Sequence, residues 1–571
     1  MINTGLRLLA AGSLPLLLAT FAAPHAGAEQ GGRTWYVSAE ATAGQGSATA
    51  PFSSLAQAES ASRAGDSIVV LPASSTAPPL DGGIALKPGQ RLIGAGDPVV
   101  GASGGVPIPR ITNTSGRLEG DAVRLAPGAQ VRNLSITHPR RGGIYGVDTP
   151  GTVVTGNDVT ETNTSCAQGF LIQSFTVPAG LPLRVPGLDL PFKITLNNGW
   201  AGIMVDGNRA QGTVRIEDNR VHDTACGDGI DVRASGTSSL HAKLYRNRVD
   251  HTRQGLLQLS NLAMGLQSTG KASLDAELVR NTQTDVGSGV VDSEGVFANM
   301  ADQSRLSARI DHNTFRNGNG HFSANGLEYV TSNGKPSSDL TVTNSTFTDV
   351  PGDIIENYNL STEGATQRMT LDNVRAAHST FPAGLVYPVV PANFGSCVLS
   401  ASLGSGNVTS LRMHRTTATD CTGDGVGIIS TVGNKADGPN RNMSFDISDS
   451  QITGNEQANL RVLNIGDLGT LHGKVSNSNL ADGGKGSADI EHTAGTIGDP
   501  ELDFGGGGLG SSGGNCILGA AEPGVEVRGI HVDARHNWWG RPSAPAPGAV
   551  REQRGSIDTT GALSSAPRGT C

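Results

Sequence analysis

The chain has 571 residues, with 79 Gly and 29 Pro but only 13 Phe, 6 Tyr and 4 Trp, and its balance of 42 Lys plus Arg against 51 Asp plus Glu leaves a net charge of -9. Glycine without a triplet period excludes collagen, the Gly and Pro content excludes a helical bundle, and the acidic balance without a basic block excludes a nucleic-acid binder. What remains is a chain rich in Ser, Thr, Asn and Gly, a composition that suits many short strands joined by tight turns.

Residues 1–28 read as an export signal. Arg7 opens it, Leu8 to Ala23 is largely apolar, and Ala26-Gly27-Ala28 forms a small-residue cleavage site before Glu29. The expectation is a secreted protein, extracellular or periplasmic, with no membrane span in the mature chain. Residues 29–66 form an N-terminal segment in which Ser54-Leu55-Ala56-Gln57 matches a capping box, predicting a short helix over 53–64 that covers an open edge. Ser67 to Leu71 is the first strand expected, and residues 67–548 form the repeating body, followed by a tail at 549–571.

The body repeats. VVTGNDV (153–159), RIEDNRV (215–221), KLYRNRV (243–249), ELVRNTQ (277–283) and RIDHNTF (309–315) each carry an apolar strand ending in Asn, and VSNSNL (475–480) returns to the pattern. Asn157, Asn219, Asn247, Asn281 and Asn313 lie 62, 28, 34 and 32 residues apart, a period near thirty with one long insertion. A second strand opening on a small residue follows each turn: AGIMVD (201–206), DGIDVR (228–233), QGLLQL (254–259), SGVVDS (288–293), NGLEYV (325–330) and GDIIEN (352–357), with DGVGII (424–429) and SADIEH (487–492) later. No crossover helix fits between these strands, so parallel pairing requires the chain to wind as a coil, each strand beside its equivalent one turn later. Asn suits the left-handed conformation of a tight turn, and stacked Asn amides can bond along the coil axis.

The insertion is LIQSFTVPAGLPLRVPGLDLPFKITLNNGW (171–200), and excursions from a repeat gather on binding faces. Folded over the neighbouring strands, it would wall a cleft and offer Trp200 as a stacking platform. At the far end Trp538 and Trp539 are expected to plug the core. Pairing the cysteines in order gives Cys166 with Cys226, Cys397 with Cys421 and Cys516 with Cys571, the first pair pinning the base of the insertion.

The opening WYVSAEATAGQGSATAPFSSLAQA (35–58) with GDSIVVLPA (65–73), the Asn-ended coils and the closing HNWWG (536–540) resemble secreted bacterial right-handed parallel β-helix proteins of the pectate-lyase-like superfamily. The resemblance covers nearly the whole mature chain and implies a right-handed all-β solenoid. It does not choose a chemistry, because one scaffold carries hydrolases, lyases, epimerases and inert fibres. The run YGVDTP (145–150) matches an epimerase signature only in part.

Equivalent positions on successive coils lie about 4.8 Å apart, so residues one period apart become neighbours. Registering the second strands on their small residues gathers Asp231, Asp292, Glu328 and Glu356, the candidate catalytic residues, with Asp231 and Glu328 in one register and Asp292 and Glu356 one position later. Arg233, His321, Tyr329, Tyr358 and Trp200 are the candidate substrate contacts, and Glu294 and Asn357 lie nearby. Two carboxylates flanking a glycosidic bond can hydrolyse it. Carboxylates binding Ca²⁺ would instead neutralise an acidic sugar while a base drives β-elimination. Arg233 is the only evident base and no Lys joins the strip, which favours hydrolysis without a cofactor. A solvated acidic face that only keeps the protein soluble is the plain alternative. His138-Pro139-Arg140-Arg141 and His222 are weaker candidates, for an acidic ligand and a metal respectively. The leading expectation is a monomeric enzyme cleaving a polysaccharide or oligosaccharide; the alternative is a non-catalytic extracellular binding, adhesive or structural protein.

Overall fold

A computed structural model describes residues 32–95, 108–177, 192–253, 255, 260–287, 292–319, 323–381, 393–403, 406–431, 442–465, 471–492, 501–517 and 523–571. The leader at 1–28 and His321 lie outside the described residues.

The chain is a right-handed parallel β-helix. Among the described residues its strands form three long sheets of 17, 11 and 15 strands, in which the pairing is parallel throughout. One coil shows the plan: Gln211–Glu217 lies in the first sheet, Arg220–His222 in the second, Ile230–Ala234 in the third, and Ser239–Tyr245 then returns to the first, one rung along. Alternation at period two sends Ile230, Val232 and Ala234 into a single core that runs from Trp35 to Trp539. Each fully buried Val, Leu or Ile contributes about 1.5–3 kcal/mol, so every coil adds to one continuous apolar stack.

The turn between the first and second sheets carries the asparagine ladder. Asn157 Nδ2 donates to Asn219 Oδ1 at 2.9 Å, Asn219 Nδ2 to Asn247 Oδ1 at 3.0 Å, and Asn247 Nδ2 to Asn281 Oδ1 at 3.2 Å. The backbone N–H of Asn313 then donates to Ser345 Oγ at 3.0 Å, so a hydroxyl takes over the rung. The left-handed residue is not the ladder Asn but the one before it: Asp218, Arg246, Arg280 and His312 have φ of 55°, 55°, 57° and 54°. The Asn is needed for its amide, which satisfies buried backbone groups above and below.

The helix is Leu55–Ala61, shorter than expected, with Ser54 Oγ accepting from Gln57 N and Leu55 and Ala58 buried. Parallel pairing begins at Thr34–Val37 and reaches Ser556–Asp558, so sheet structure runs past both 67 and 548. Trp539 is buried in the core and Trp538 half-buried beside it. The three disulfides are Cys166–Cys226, Cys397–Cys421 and Cys516–Cys571, as ordered pairing predicts. Among the described residues no helix is long and apolar enough to cross a membrane.

The insertion is an antiparallel hairpin, Gln168–Val177 with Phe192–Gly199. Trp200 N donates to Ala167 O at 3.0 Å, so the two ends of the excursion meet. The hairpin lies against Ser260–Ser268 and Ser323–Gly334 of the third sheet.

Candidate active site under the hairpin

The third sheet's strand pairing defines the rows on its outer face. Asp231 pairs with Gly265, Gly265 with Phe297, Phe297 with Glu328, and Glu328 with Glu356. Three of the expected carboxyl groups therefore stand in one row, and Glu356 shares the register of Glu328 instead of lying one position later. Asp292 pairs with Ser260 and Ser323, five residues before Phe297 on its strand, so it does not join the row. The register differs because two coils hold two small-residue windows each. In one, Leu262-Ala263-Met264-Gly265 is used and not QGLLQL (254–259); in the next, Glu294-Gly295-Val296-Phe297 is used and not SGVVDS (288–293).

This row is not a solvated face. Asp231 is 0 % exposed, Glu356 3 % and Glu328 6 %. Over the Asp231 end of the row the hairpin supplies cover: Leu171 packs with Leu262 and Phe297, and Phe170 leans on the same cluster. A buried carboxyl meets no bulk water, so three of them on one strip do not serve solubility.

The most constrained group is Asp231. Asn198, from the second hairpin strand, donates through Nδ2 to Asp231 Oδ2 at 3.1 Å and also to Asp228 Oδ2. Asp228 Oδ1 accepts from Leu262 N at 2.8 Å and from Asn261 Nδ2 at 3.3 Å. Asp231 Oδ1 has no hydrogen-bond partner among the described residues. It lies over Gly265, where an added Cβ would come within 2.5 Å of it and closer still to Leu171. Burial, reinforced by the adjacent Asp228 charge, pushes the Asp231 carboxyl well above the usual range, and burial lifts Asp228 to about 8.

Asp228 is one of a series. Asp121, Asp228, Asp353 and Asp424 each accept, through one oxygen, the N–H of the residue one coil on: Gly142, Leu262, Ser396 and Ala458, at 2.9, 2.8, 2.5 and 3.2 Å. These corner aspartates close the turn into the third sheet. Asp228 and Asn198 were not singled out from sequence. The spacing could have found the corner position, since Asp228 to Leu262 spans 34 residues, the same as Asn247 to Asn281.

The expected substrate contacts are largely structural. Tyr329 points inward and is fully buried in the core, because it neighbours the outward Glu328 on an alternating strand; burial also raises its phenol's pKa. Trp200 is 8 % exposed and is no open platform. It is wedged edge-on against Tyr145 with centroids 4.9 Å apart, with the Arg141 guanidinium 3.9 Å from its ring centre. Arg233 forms a two-pronged bond to Asp206 at 2.8 and 2.7 Å, donates to Phe170 O at 3.0 Å and stacks on Phe170. Tyr358 faces outward, half-buried against Leu399, Ala401, Ile429 and Leu463. Arg141 clamps Asp121, and His222 sits between Asp158 and Asp223. Among the described residues no three His, Cys, Asp or Glu side chains gather as a metal site.

No family profile matches the chain, and no curated protein matches it. Among solved structures it is similar to the GH136 lacto-N-biosidase from Eubacterium ramulus, in its selenomethionine form, at 8% identity with a TM-score of 0.27. The match covers 77% of this chain and 64% of that one, so it spans a little under two thirds of that enzyme's length. At that identity and score the likeness assigns no residue and no reaction.

Proposed function

We propose that the protein is a secreted glycoside hydrolase acting on a polysaccharide or oligosaccharide, with Glu328 and Glu356 as its catalytic pair. The observation that carries this reading is the row itself: carboxyl groups aligned on one outer strip, yet buried. Glu328 and Glu356 sit on adjacent rungs, about 4.8 Å apart at the backbone. That spacing suits the roughly 5–5.5 Å carboxyl separation of retaining hydrolysis. One carboxylic acid protonates the glycosidic oxygen as the C–O bond breaks, and the other carboxylate bonds to the anomeric carbon. Water then releases the sugar, giving its proton to the first residue. Asp231 lies three rungs away, about 14 Å along the axis, too far to flank the same bond. Elimination is the weaker reading because Arg233, its one evident base, is held by Asp206 and Phe170. Three disulfides, with no free cysteine, suit an oxidising, extracytoplasmic setting.

The test is a panel of polysaccharides incubated with the mature protein, with and without chelator. New reducing ends that vanish in Glu328→Gln and Glu356→Gln support the reading. Unsaturated, ultraviolet-absorbing products would replace it with elimination, and no products at all would favour a non-catalytic extracellular binder.

A further inference from the structure

The first sheet carries a groove of about 390 Å³ on its outer face, lined by the neighbouring strands Ser337–Thr343, Thr366–Asp372, Val408–His414 and Asn442–Ser448. Strand alternation shapes it. Leu340, Met369, Leu411 and Phe445 turn into the core, so the groove is faced by the polar residues between them. Its floor is short: Thr341 pairs with Thr370 and Ser410 with Ser444, which leaves four hydroxyl groups able to donate and to accept. Longer side chains rise beside them, Arg368 next to Ser410 and Arg412 next to Thr370.

The charges of the groove are not evenly matched. Arg368 lies 3.5 Å from Asp339 on the preceding rung. Asp446 stands opposite Arg412 in register, yet it takes Lys474 of the following rung at 3.2 Å. Both acids of the groove are thus answered, while the exposed Arg412 has no ion-pair partner among the described residues. In a chain of net charge -9 this is a local positive seat with a hydroxyl floor beside it.

We infer that this groove binds an anionic saccharide: the Arg412 guanidinium donates two parallel hydrogen bonds to a carboxylate or sulfate group, and the Thr and Ser hydroxyls bond the sugar's own hydroxyls. An acidic peptide suits it less, because the four apolar side chains beneath it face the core and leave no pocket for a peptide's side chains. The groove goes beyond the proposed reaction. It lies on a different sheet from Glu328 and Glu356, and it holds a polymer without cleaving it.

Titration calorimetry of the mature protein with a neutral cello-oligosaccharide, its glucuronate counterpart and its sulfate ester tests this. At least one anionic chain is expected to bind about tenfold more tightly than the neutral one and to lose affinity as salt is added; the tighter of the two identifies the anion as carboxylate or sulfate. Arg412 is exposed, so its replacement leaves the core intact. Arg412→Ala weakens the binding about tenfold, and Arg412→Lys, which keeps the charge without the fork, recovers only part of it. Glu328→Gln and Glu356→Gln leave the affinity unchanged. Equal affinity for neutral and anionic chains, or an affinity unmoved in Arg412→Ala, would overturn the inference, as would a loss in Glu328→Gln that Arg412→Ala does not share. Hexaglutamate binding as tightly as the glucuronate chain would overturn the saccharide and make an acidic peptide the occupant. If the anionic chain binds through Arg412 while no polymer of the panel is cleaved, the proposed reaction falls and the groove stands.

Discussion

Two corners of the third sheet are built alike and end differently. At one, Asn198 donates to Asp228 and Asp228 takes the N–H of Leu262. At the other, Asn393 Nδ2 donates to Asp424 Oδ2 at 2.9 Å and Asp424 takes the N–H of Ala458. Three residues on, the first corner has Asp231 and the second has Gly427. The Asn–Asp clasp is therefore scaffold, present with or without a neighbouring acid, and Asp231 is the addition. Burial lifts Asp424 to about 7, with the Arg461 charge, Asn393 and the N–H of Ala458 pulling it down and the Asp489 charge adding a smaller upward push.

The largest effect expected is chemical: Glu328→Gln or Glu356→Gln lowers hydrolysis by about 10²–10⁴-fold, read as reducing ends released, while Asp424→Asn leaves the rate unchanged. Loss of activity in Asp424→Asn would mean the corners are not separable from the site. Next comes Asp228→Ala against Asp424→Ala. Each leaves a buried backbone N–H without its acceptor, so each costs about 1–3 kcal/mol in denaturant unfolding. Equal costs would confirm that both corners bear the same structural load.

A smaller effect lies in the pH dependence of stability. A carboxyl whose folded pKa is raised binds its proton more tightly in the native state, so stability is fully present below the unfolded value and falls as pH climbs toward the folded one. For Asp424 that window runs from about 4 to about 7. Removing it in Asp424→Asn flattens the fall by of order 1 kcal/mol per pH unit. Asp231→Asn flattens it further, because burial and the adjacent Asp228 charge raise the Asp231 carboxyl well above the usual range. An unchanged slope in either variant would show that the carboxyl is already ionised. The smallest difference expected is between Asn198→Ala and Asn393→Ala. Each loses one amide clasp, about 0.5–1.5 kcal/mol, and only Asn198→Ala also alters the titration of Asp231.

The coil and its staples were legible because both are one-dimensional signals. A repeated Asn and an ordered set of cysteines survive without knowing which way any strand faces. The site was legible only in part, because it depends on a register of single residues. Ile354 occupies the corner that Gly326 fills one coil earlier, so aligning on small residues displaced Glu356 from its place opposite Glu328. Tyr329 and Glu328 are adjacent in sequence and lie on opposite faces, a one-residue distinction that reverses function and core. The burial of Asp231 was not readable, since it is made by Leu171 and Asn198 from a hairpin whose docking leaves no periodic mark.

Trp200 N already bonds to Ala167 O, closing the coil beneath the hairpin as though the intervening residues were absent. The excursion thus leaves and rejoins the coil at one point, and it brings with it Leu171 against Gly265 and Asn198 between two buried carboxyl groups. The surroundings of that strip are thus set by one loop spliced between two bonded cysteines, not by the core beneath it.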